Sequence, residues 1–340
     1  MSTKNQCKNC GSRLSFDIES QSLKCSHCDS TVQFEKEKAT NSKFAFSFDA
    51  TEKLSSAKTE QHKCIHCGNI LIVNGEYSHL VCPSCGSNDF EKTVAVNVEP
   101  DGIVSFKITK EQAGNEFKKW LKKQWLAPSN LKKLAKLKKL TGAYVPFWNY
   151  DFAETYTYSG VGVVVRKDRN GKSHRSYFPF KHTKNGSETD YFVQANEKVS
   201  TEYIQKLEDF RLAEMDKFKQ EYMYGLVGFE KSIGLQDSYK NLNRVRQAEN
   251  DREAKMSLRL KYDQINNFSS SLSLRDVIYN YIYLPVWINH YSYKNKHYNC
   301  YVNGVTGKTA GKAPVSVFKV MLSVLGVIAI AGLFYYLKNK

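Results

Sequence analysis

The sequence predicts an α+β protein, with cysteine-rich modules at one end, a body of mixed β-sheet and helix, and one apolar helix at the other end. Three observations predict it. Cysteines recur in paired Cys-x-x-Cys spacing, β-like segments bounded by turn signals alternate with charged helical stretches, and eighteen residues from Val320 to Leu337 carry no charge.

The first module holds Cys7, Cys10, Cys25 and Cys28, and the second holds Cys64, Cys67, Cys82 and Cys85. Each number in the second set is 57 above its counterpart, and both sets read C-x2-C-x14-C-x2-C. Each Cys-x-x-Cys turn presents two sulfurs on one side of a tight knuckle, and four thiolates so spaced suit tetrahedral Zn2+. Glycine follows three of the knuckles, at Gly11, Gly68 and Gly86, where a tight turn needs positive φ. In the second copy Ile70 to Val73, Asn74-Gly75 and Tyr77 to Val81 predict a hairpin that folds one knuckle back on the other. A disulfide framework suits a secreted chain, and the start MSTKNQ is not a signal peptide. A thioredoxin-like redox pair uses one Cys-x-x-Cys in a βαβ setting. The expected cofactors are therefore two structural zinc ions, bound by eight cysteines. His27, His62, His66 and His79 are expected to face solvent, and Cys300 reads as a small buried residue.

The chain of 340 residues has room for two or three domains. The expected order is zinc ribbon one over 5–34, a polar linker over 35–60 and zinc ribbon two over 61–92. An α+β body over 93–314 and a transmembrane segment over 315–338 follow. In the body, Thr109-Lys-Glu-Gln112 is a capping box opening a helix whose Ala113, Phe117, Trp120 and Leu121 share a face. Leu131, Leu134, Leu137 and Leu140 predict a second helix that Gly142 ends. Tyr144-Val-Pro-Phe-Trp148 recurs as Tyr283-Leu-Pro-Val-Trp287, and each copy opens a β-rich stretch with proline suited to first strand residues. Two small sheets that pair into one are expected, with a tryptophan pinning each to a helix. A helical insert is expected over about 199–268, broken at Gly225 to Gly228, with Ser269 to Ser273 as a loop.

The formal net charge is +16, and residues 118–140 carry nine lysines and no acid. Lys118, Lys119, Lys122, Lys123, Lys132, Lys133, Lys136, Lys138 and Lys139 form a stripe that attracts anions, either nucleic-acid phosphate or acidic lipid headgroups. Val320 to Leu337 reaches the lower end for a bilayer-crossing helix, and Val315 to Phe318 extend it if Lys319 snorkels. Tyr335 and Tyr336 sit where an interfacial belt belongs. The expected localisation is the membrane, through a single-pass C-terminal anchor, with the bulk of the chain in the reducing cytoplasm.

The order of motifs carries a resemblance. It rests on the two ribbons, Phe106-Lys-Ile-Thr-Lys-Glu-Gln-Ala113, Trp120-Leu, Trp125 with Ala127-Pro128, and Gly142-Ala-Tyr-Val-Pro-Phe-Trp148. It continues through Leu226-Val-Gly-Phe229, Leu284-Pro-Val-Trp287 and Tyr301-Val-Asn-Gly-Val-Thr-Gly-Lys308. The chain resembles the bacterial double zinc-ribbon membrane proteins described as transcription-factor-B-type zinc-ribbon-containing, or as primosomal protein N′ (replication factor Y) superfamily II helicase-like. The resemblance implies a membrane helix after the Val-Asn-Gly-x-Thr-Gly segment, and the helicase part of the label rides on the ribbons.

Gly304-Val-Thr-Gly-Lys-Thr309 is not a phosphate cradle, because two residues separate its glycines where four are needed, so it reads as a hairpin turn. Asp168, His174, His182 and Asp190 are acid–base candidates by residue type only, among turn residues. With closed zinc sites and no catalytic constellation, the expectation is a non-enzymatic interaction or adaptor module at the cytoplasmic face, meeting an unidentified protein partner. The alternative is nucleic-acid binding through the ribbons and the lysine helices over 110–140. A third reading sends the lysines to anionic lipid.

Overall fold

The computed structural model describes residues 5–39, 43–50, 52, 54–73, 80–131, 140–199, 201–207, 209–294 and 296–338. The first module makes its own antiparallel sheet of β1 (Leu14–Asp17), β2 (Ser22–Cys25) and β3 (Thr31–Val32). A second, eleven-stranded sheet takes the rest. Its strands are β4 (Phe44–Ala45), β5 (Leu54–Cys64), β6 (Ile70–Val73), β7 (Phe90–Val98) and β8 (Gly102–Ile103). They continue as β9 (Leu140–Lys167), β10 (Ser173–Gln194), β11 (Val227–Phe229), β12 (Gln264–Tyr293), β13 (Lys296–Asn303) and β14 (Thr309–Gly311). The order is β14-β13-β12-β9-β11-β6-β5-β7, with β10 on β9 and both β4 and β8 on β12. Among the described residues the α-helices are α1 (Lys110–Lys123), α2 (Thr201–Gln205), α3 (Leu235–Arg259) and α4 (Val317–Lys338).

The duplicated Tyr-x-Pro-x-Trp motifs form the centre of the large sheet. They cross antiparallel, with Tyr144 opposite Pro285, Val145 opposite Leu284 and Pro146 opposite Tyr283. Both prolines lie inside long strands rather than at their first residues. A residue's N–H and C=O point to the same strand edge. Pro146 O accepts from Ala195 N, and Pro285 O accepts from Gly304 N. Each proline therefore turns its missing donor to an edge where the ladder partner has just ended, at Gln194↔Phe147 and at Val286↔Asn303. The tryptophans repeat the same relation. Trp148 Nε1 donates to Ile233 O, just before α3, and Trp287 Nε1 donates to Ile108 O, just before the Thr109 cap of α1. Each pins the sheet to the start of a helix.

Around this centre β9 is buried on both faces, which accounts for its unbroken apolar run. Tyr144, Trp148 and Tyr150 pack with α1, α3 and the first module, while Ala143, Val145 and Phe147 pack with Ile204, Leu207 and Phe210 on the other face. Farther along, α3 lies on the extended arms of β9, β10 and β12. There the half-buried Arg246 guanidinium holds the buried Glu154 through Nε at 2.8 Å and Nη2 at 2.7 Å.

Several expectations change. Ser269 to Ser273 lie inside β12, where Ser269 pairs with Ser159 and Ser273 with Thr155. The stretch over 199–268 holds α2, two 3-10 turns, β11 and α3, so the break at Gly225 to Gly228 leads into a strand. Leu140 and Gly142 belong to β9 and end no helix, and Leu134 and Leu137 lie outside the described residues. The polar stretch before residue 61 contains β4 and most of β5, so its boundary with the second module falls within a strand.

Candidate metal centres and membrane helix

The four Cys-x-x-Cys knuckles are built alike. The N–H of Cys7, Cys25, Cys64 and Cys82 donates to the carbonyl five residues on, at Ser12, Ser30, Asn69 and Ser87, over 2.6 to 2.9 Å. Gly11, Gly68 and Gly86 take φ of 72, 71 and 76° and donate back to Cys7, Cys64 and Cys82 O at 2.8 Å. Asp29, at φ 55°, stands where the fourth knuckle lacks glycine. These turns bring four Sγ atoms together twice, all within 4.8 Å of one another. Cys7–Cys28 and Cys10–Cys25 lie 3.6 and 3.5 Å apart, and Cys64–Cys85 and Cys67–Cys82 both 3.6 Å. A disulfide needs about 2 Å. Sulfurs at tetrahedral corners around a zinc-sized ion stand about 3.8 Å apart, so the donor set fits a tetrahedral metal ion.

Local groups favour thiolates unevenly. The hydroxyl and backbone N–H of Ser30 draw Cys28 down to about 6, while burial pushes Cys85 up to about 11 and Cys82 higher still. A cation among the sulfurs favours the charged form of all four. The sites differ in enclosure: Cys10 and Cys28 are exposed, whereas Cys67 and Cys85 are half-buried.

The modules are also seated differently. The first docks through Phe16, whose N–H donates to Tyr224 O and whose ring meets Tyr222 at 5.4 Å. Gln21 adds a latch, donating from Nε2 to Phe106 O at 2.7 Å and accepting from Ser105 Oγ at 2.9 Å. The second is part of the large sheet. β6 has both edges occupied, by β5 and by β11, so it does not form the expected hairpin with the segment ending at Val81. Leu80 and Val81 are in no strand, and Asn74 to His79 lie outside the described residues. Of the expected solvent-facing histidines, His27 and His66 are exposed, but His62 is buried in β5 against Phe90.

Helix α1 opens with the Thr109–Gln112 capping box and buries Ala113, Phe117 and Leu121. Lys118, Lys119, Lys122 and Lys123 are exposed on it, while Lys132, Lys133, Lys136, Lys138 and Lys139 lie outside the described residues. Helix α4 spans 22 residues, none of them buried, and an 18-residue window of it has a mean hydropathy of 2.4. At 1.5 Å per residue it is about 33 Å long, enough to cross hydrocarbon of about 30 Å.

The acid–base candidates do not converge. Asp168 and His174 face each other at 3.0 Å at the exposed end of the β9–β10 hairpin, and His182 is exposed on β10. Asp190 sits at a bulge at the other end of β10, bound to Lys43 and Asn149. Gly304 to Thr309 is a hairpin turn between β13 and β14, where Asn303 Oδ1 accepts from Val305 N and Thr306 N. The sequence reading missed the link between the base of α4 and the loop after α1. Lys319 Nζ donates to Trp125 O and Ala127 O, and the lysine that interrupts the apolar run was its only signal.

Over 318 residues the chain is 27% identical to the uncharacterized protein YdjG of Bacillus subtilis (strain 168), covering 93% of this chain and 91% of that protein. No family model matches the chain, and no solved structure matches it.

Proposed function

We propose that both four-cysteine clusters hold structural zinc, that α4 spans a membrane with the ribbons on its cytoplasmic side, and that the chain is a membrane-anchored, non-enzymatic interaction module. One observation carries this reading: an apolar helix with no buried residue extends from a body with two clusters of four cysteine sulfurs, each arranged to suit a metal ion. Four protein ligands leave no position for a reactive water, which makes the metal a fold-holding ion. Thiolate sites suit a reducing compartment, which favours the cytoplasmic side for the ribbons.

The second ribbon supplies a surface for a protein partner. Ile65 is exposed on it, Val94 and Val96 are exposed on β7 just beyond it, and β7 ends the strand order of the large sheet. The nucleic-acid alternative rests on exposed Lys118, Lys119, Lys122 and Lys123 beside Trp125. Against it, the described lysines run towards the base of the apolar helix, where a bilayer competes for them. The resemblance to double zinc-ribbon membrane proteins agrees with the first reading.

The test is crosslinked capture from intact membranes with the wild-type chain and with Val94→Asp/Val96→Asp, a pair that leaves the thiolates alone. A partner recovered only with the wild type supports the adaptor reading. Equal recovery, or none, together with DNA binding that weakens steeply with salt, favours the nucleic-acid alternative.

A further inference from the structure

Helix α1 ends where α4 begins. Ser316 N donates to Leu126 O at 2.9 Å, and Lys319 Nζ binds the carbonyls of Trp125 at 3.1 Å and Ala127 at 2.7 Å. Those carbonyls lie just past the C-terminus of α1, where the helix dipole is negative and a cation is stabilised. Snorkelling would carry the Lys319 side chain outward. Instead it straps the 125–127 loop to the first turn of α4.

The strap sets a depth. From Val320 to Leu337 the chain is uncharged, so Lys319 marks the water-side limit of the hydrocarbon, and the loop it holds lies at that level. Trp125 is 66% exposed there, and Phe318, next to Lys319 in the first turn of α4, is 65% exposed. Tryptophan is enriched at the membrane–water interface, where its ring is half in apolar surroundings and its N–H stays wet. Tyr335 and Tyr336 stand at the other end of α4, about 25 Å along the helix from Lys319. That separation approximates the thickness of a hydrocarbon core, about 30 Å. Lys122 and Lys123 are exposed in the last turn of α1, within about one helical turn of Trp125.

We propose that Trp125 inserts into the near interface of the bilayer as a second point of attachment, with Lys122 and Lys123 on anionic headgroups. The body is then held at a fixed attitude to the membrane and does not swing on α4 alone. The proposal rests on α4 crossing the bilayer, but adds a contact that the crossing does not require. The occupant is lipid and not a protein, because the exposed ring is tied to the depth of the helix itself and the adjoining charges are cationic. Headgroup attraction per lysine corresponds to about a fivefold gain in binding near an anionic surface.

The full chain is reconstituted in phosphatidylcholine vesicles with and without phosphatidylglycerol, using lipids brominated near the headgroup or deep in the acyl chain. Trp148 and Trp287 are buried, so they contribute little to lipid quenching. Shallow-brominated lipid is expected to quench a component of emission more than deep-brominated lipid does, and Trp125→Phe is expected to remove at least half of that component. Phosphatidylglycerol is expected to increase it, and Lys122→Gln/Lys123→Gln to cancel the increase. Equal shallow quenching in wild type and Trp125→Phe overturns the insertion, and so does protection of Trp125 in native membranes without quenching by vesicle lipid, which points to a protein partner. No effect of phosphatidylglycerol overturns the lysine contact. Alkaline carbonate extraction separates the two readings. Release of the protein defeats the spanning helix, whereas a protein that stays embedded with Trp125 unquenched defeats this proposal alone.

Discussion

The two ribbons share one cysteine spacing and differ in almost everything around it. In the first, the fourteen residues between knuckles form their own β1–β2 hairpin, and the resulting small sheet is seated on the body by Phe16 and Gln21. In the second, β6 lies between β5 and β11, so the Cys64–Cys67 turn joins two strands of the large sheet. Asn299 Nδ2 also donates to Ser84 O, and a side chain at Gly86 would collide with His290. The spacing dictates the thiolate cluster, and the flanking residues decide whether that cluster is a docked module or part of the main fold.

The largest expected difference follows from breaking each cluster in turn. Structural zinc contributes apparent binding free energies of about 10 to 16 kcal/mol in small zinc-binding peptides, comparable with the whole stability of a domain. Cys82→Ser is expected to unfold the body along with ribbon two, because β5, β6 and β7 lose their common terminus. Cys25→Ser is expected to remove one metal and leave the β9–β12 ladder folded. Limited proteolysis and near-ultraviolet circular dichroism separate these outcomes, and equal damage from both would erase the distinction.

A pH profile sharpens the same contrast. Glu230 lies at the seam between ribbon two and the body, where its N–H donates to Ile70 O at 2.9 Å. Burial raises its carboxyl from 4.5 to about 7, against the opposing pull of Lys231. The folded state therefore holds this proton more tightly than the unfolded chain. Its stability contribution is complete below pH 4.5 and is lost as pH rises through 7. The loss is about 3 kcal/mol at most. Thermal unfolding between pH 5 and 8 is expected to show it, and Glu230→Gln to flatten it. A variant with the wild-type slope would place the titration elsewhere.

The smallest effect belongs to the latch of ribbon one. Gln21→Ala removes its bonds to Phe106 O and Ser105 Oγ. The expected cost is about 1 kcal/mol, seen as faster amide exchange in β1 to β3 without change in the large sheet. Exchange that accelerates in β9 or β12 instead would show that ribbon one is integral after all.

The parts of this structure legible in the sequence were those with a local cause. Sulfur spacing gave the clusters, Thr109 and Gln112 gave the start of α1, and the charge-free run marked α4. The illegible parts depend on distant partners. The serines from 269 to 273 look like a loop, but their small hydroxyls tolerate the pleat, and Ser159 to Thr155 opposite supply the ladder. Leu140 continues a leucine spacing that suits a helix, yet it begins β9, where the following β-branched and aromatic residues pair across to β12. Phe46 sits in a polar stretch and becomes ordered by stacking on Tyr239, nearly two hundred residues later, at 4.0 Å between ring centroids. Crossing of the two Tyr-x-Pro-x-Trp motifs likewise needs both copies at once.

Timed release of metal to a chelator, with zinc counted per chain and folding followed in the same sample, tests the central claim most directly. The account predicts two equivalents, one leaving from the exposed Cys10 and Cys28 side while the large sheet persists, and the second leaving only as that sheet melts. Fewer than two equivalents in protein purified under reducing conditions, or release of both while the sheet stays folded, would contradict it.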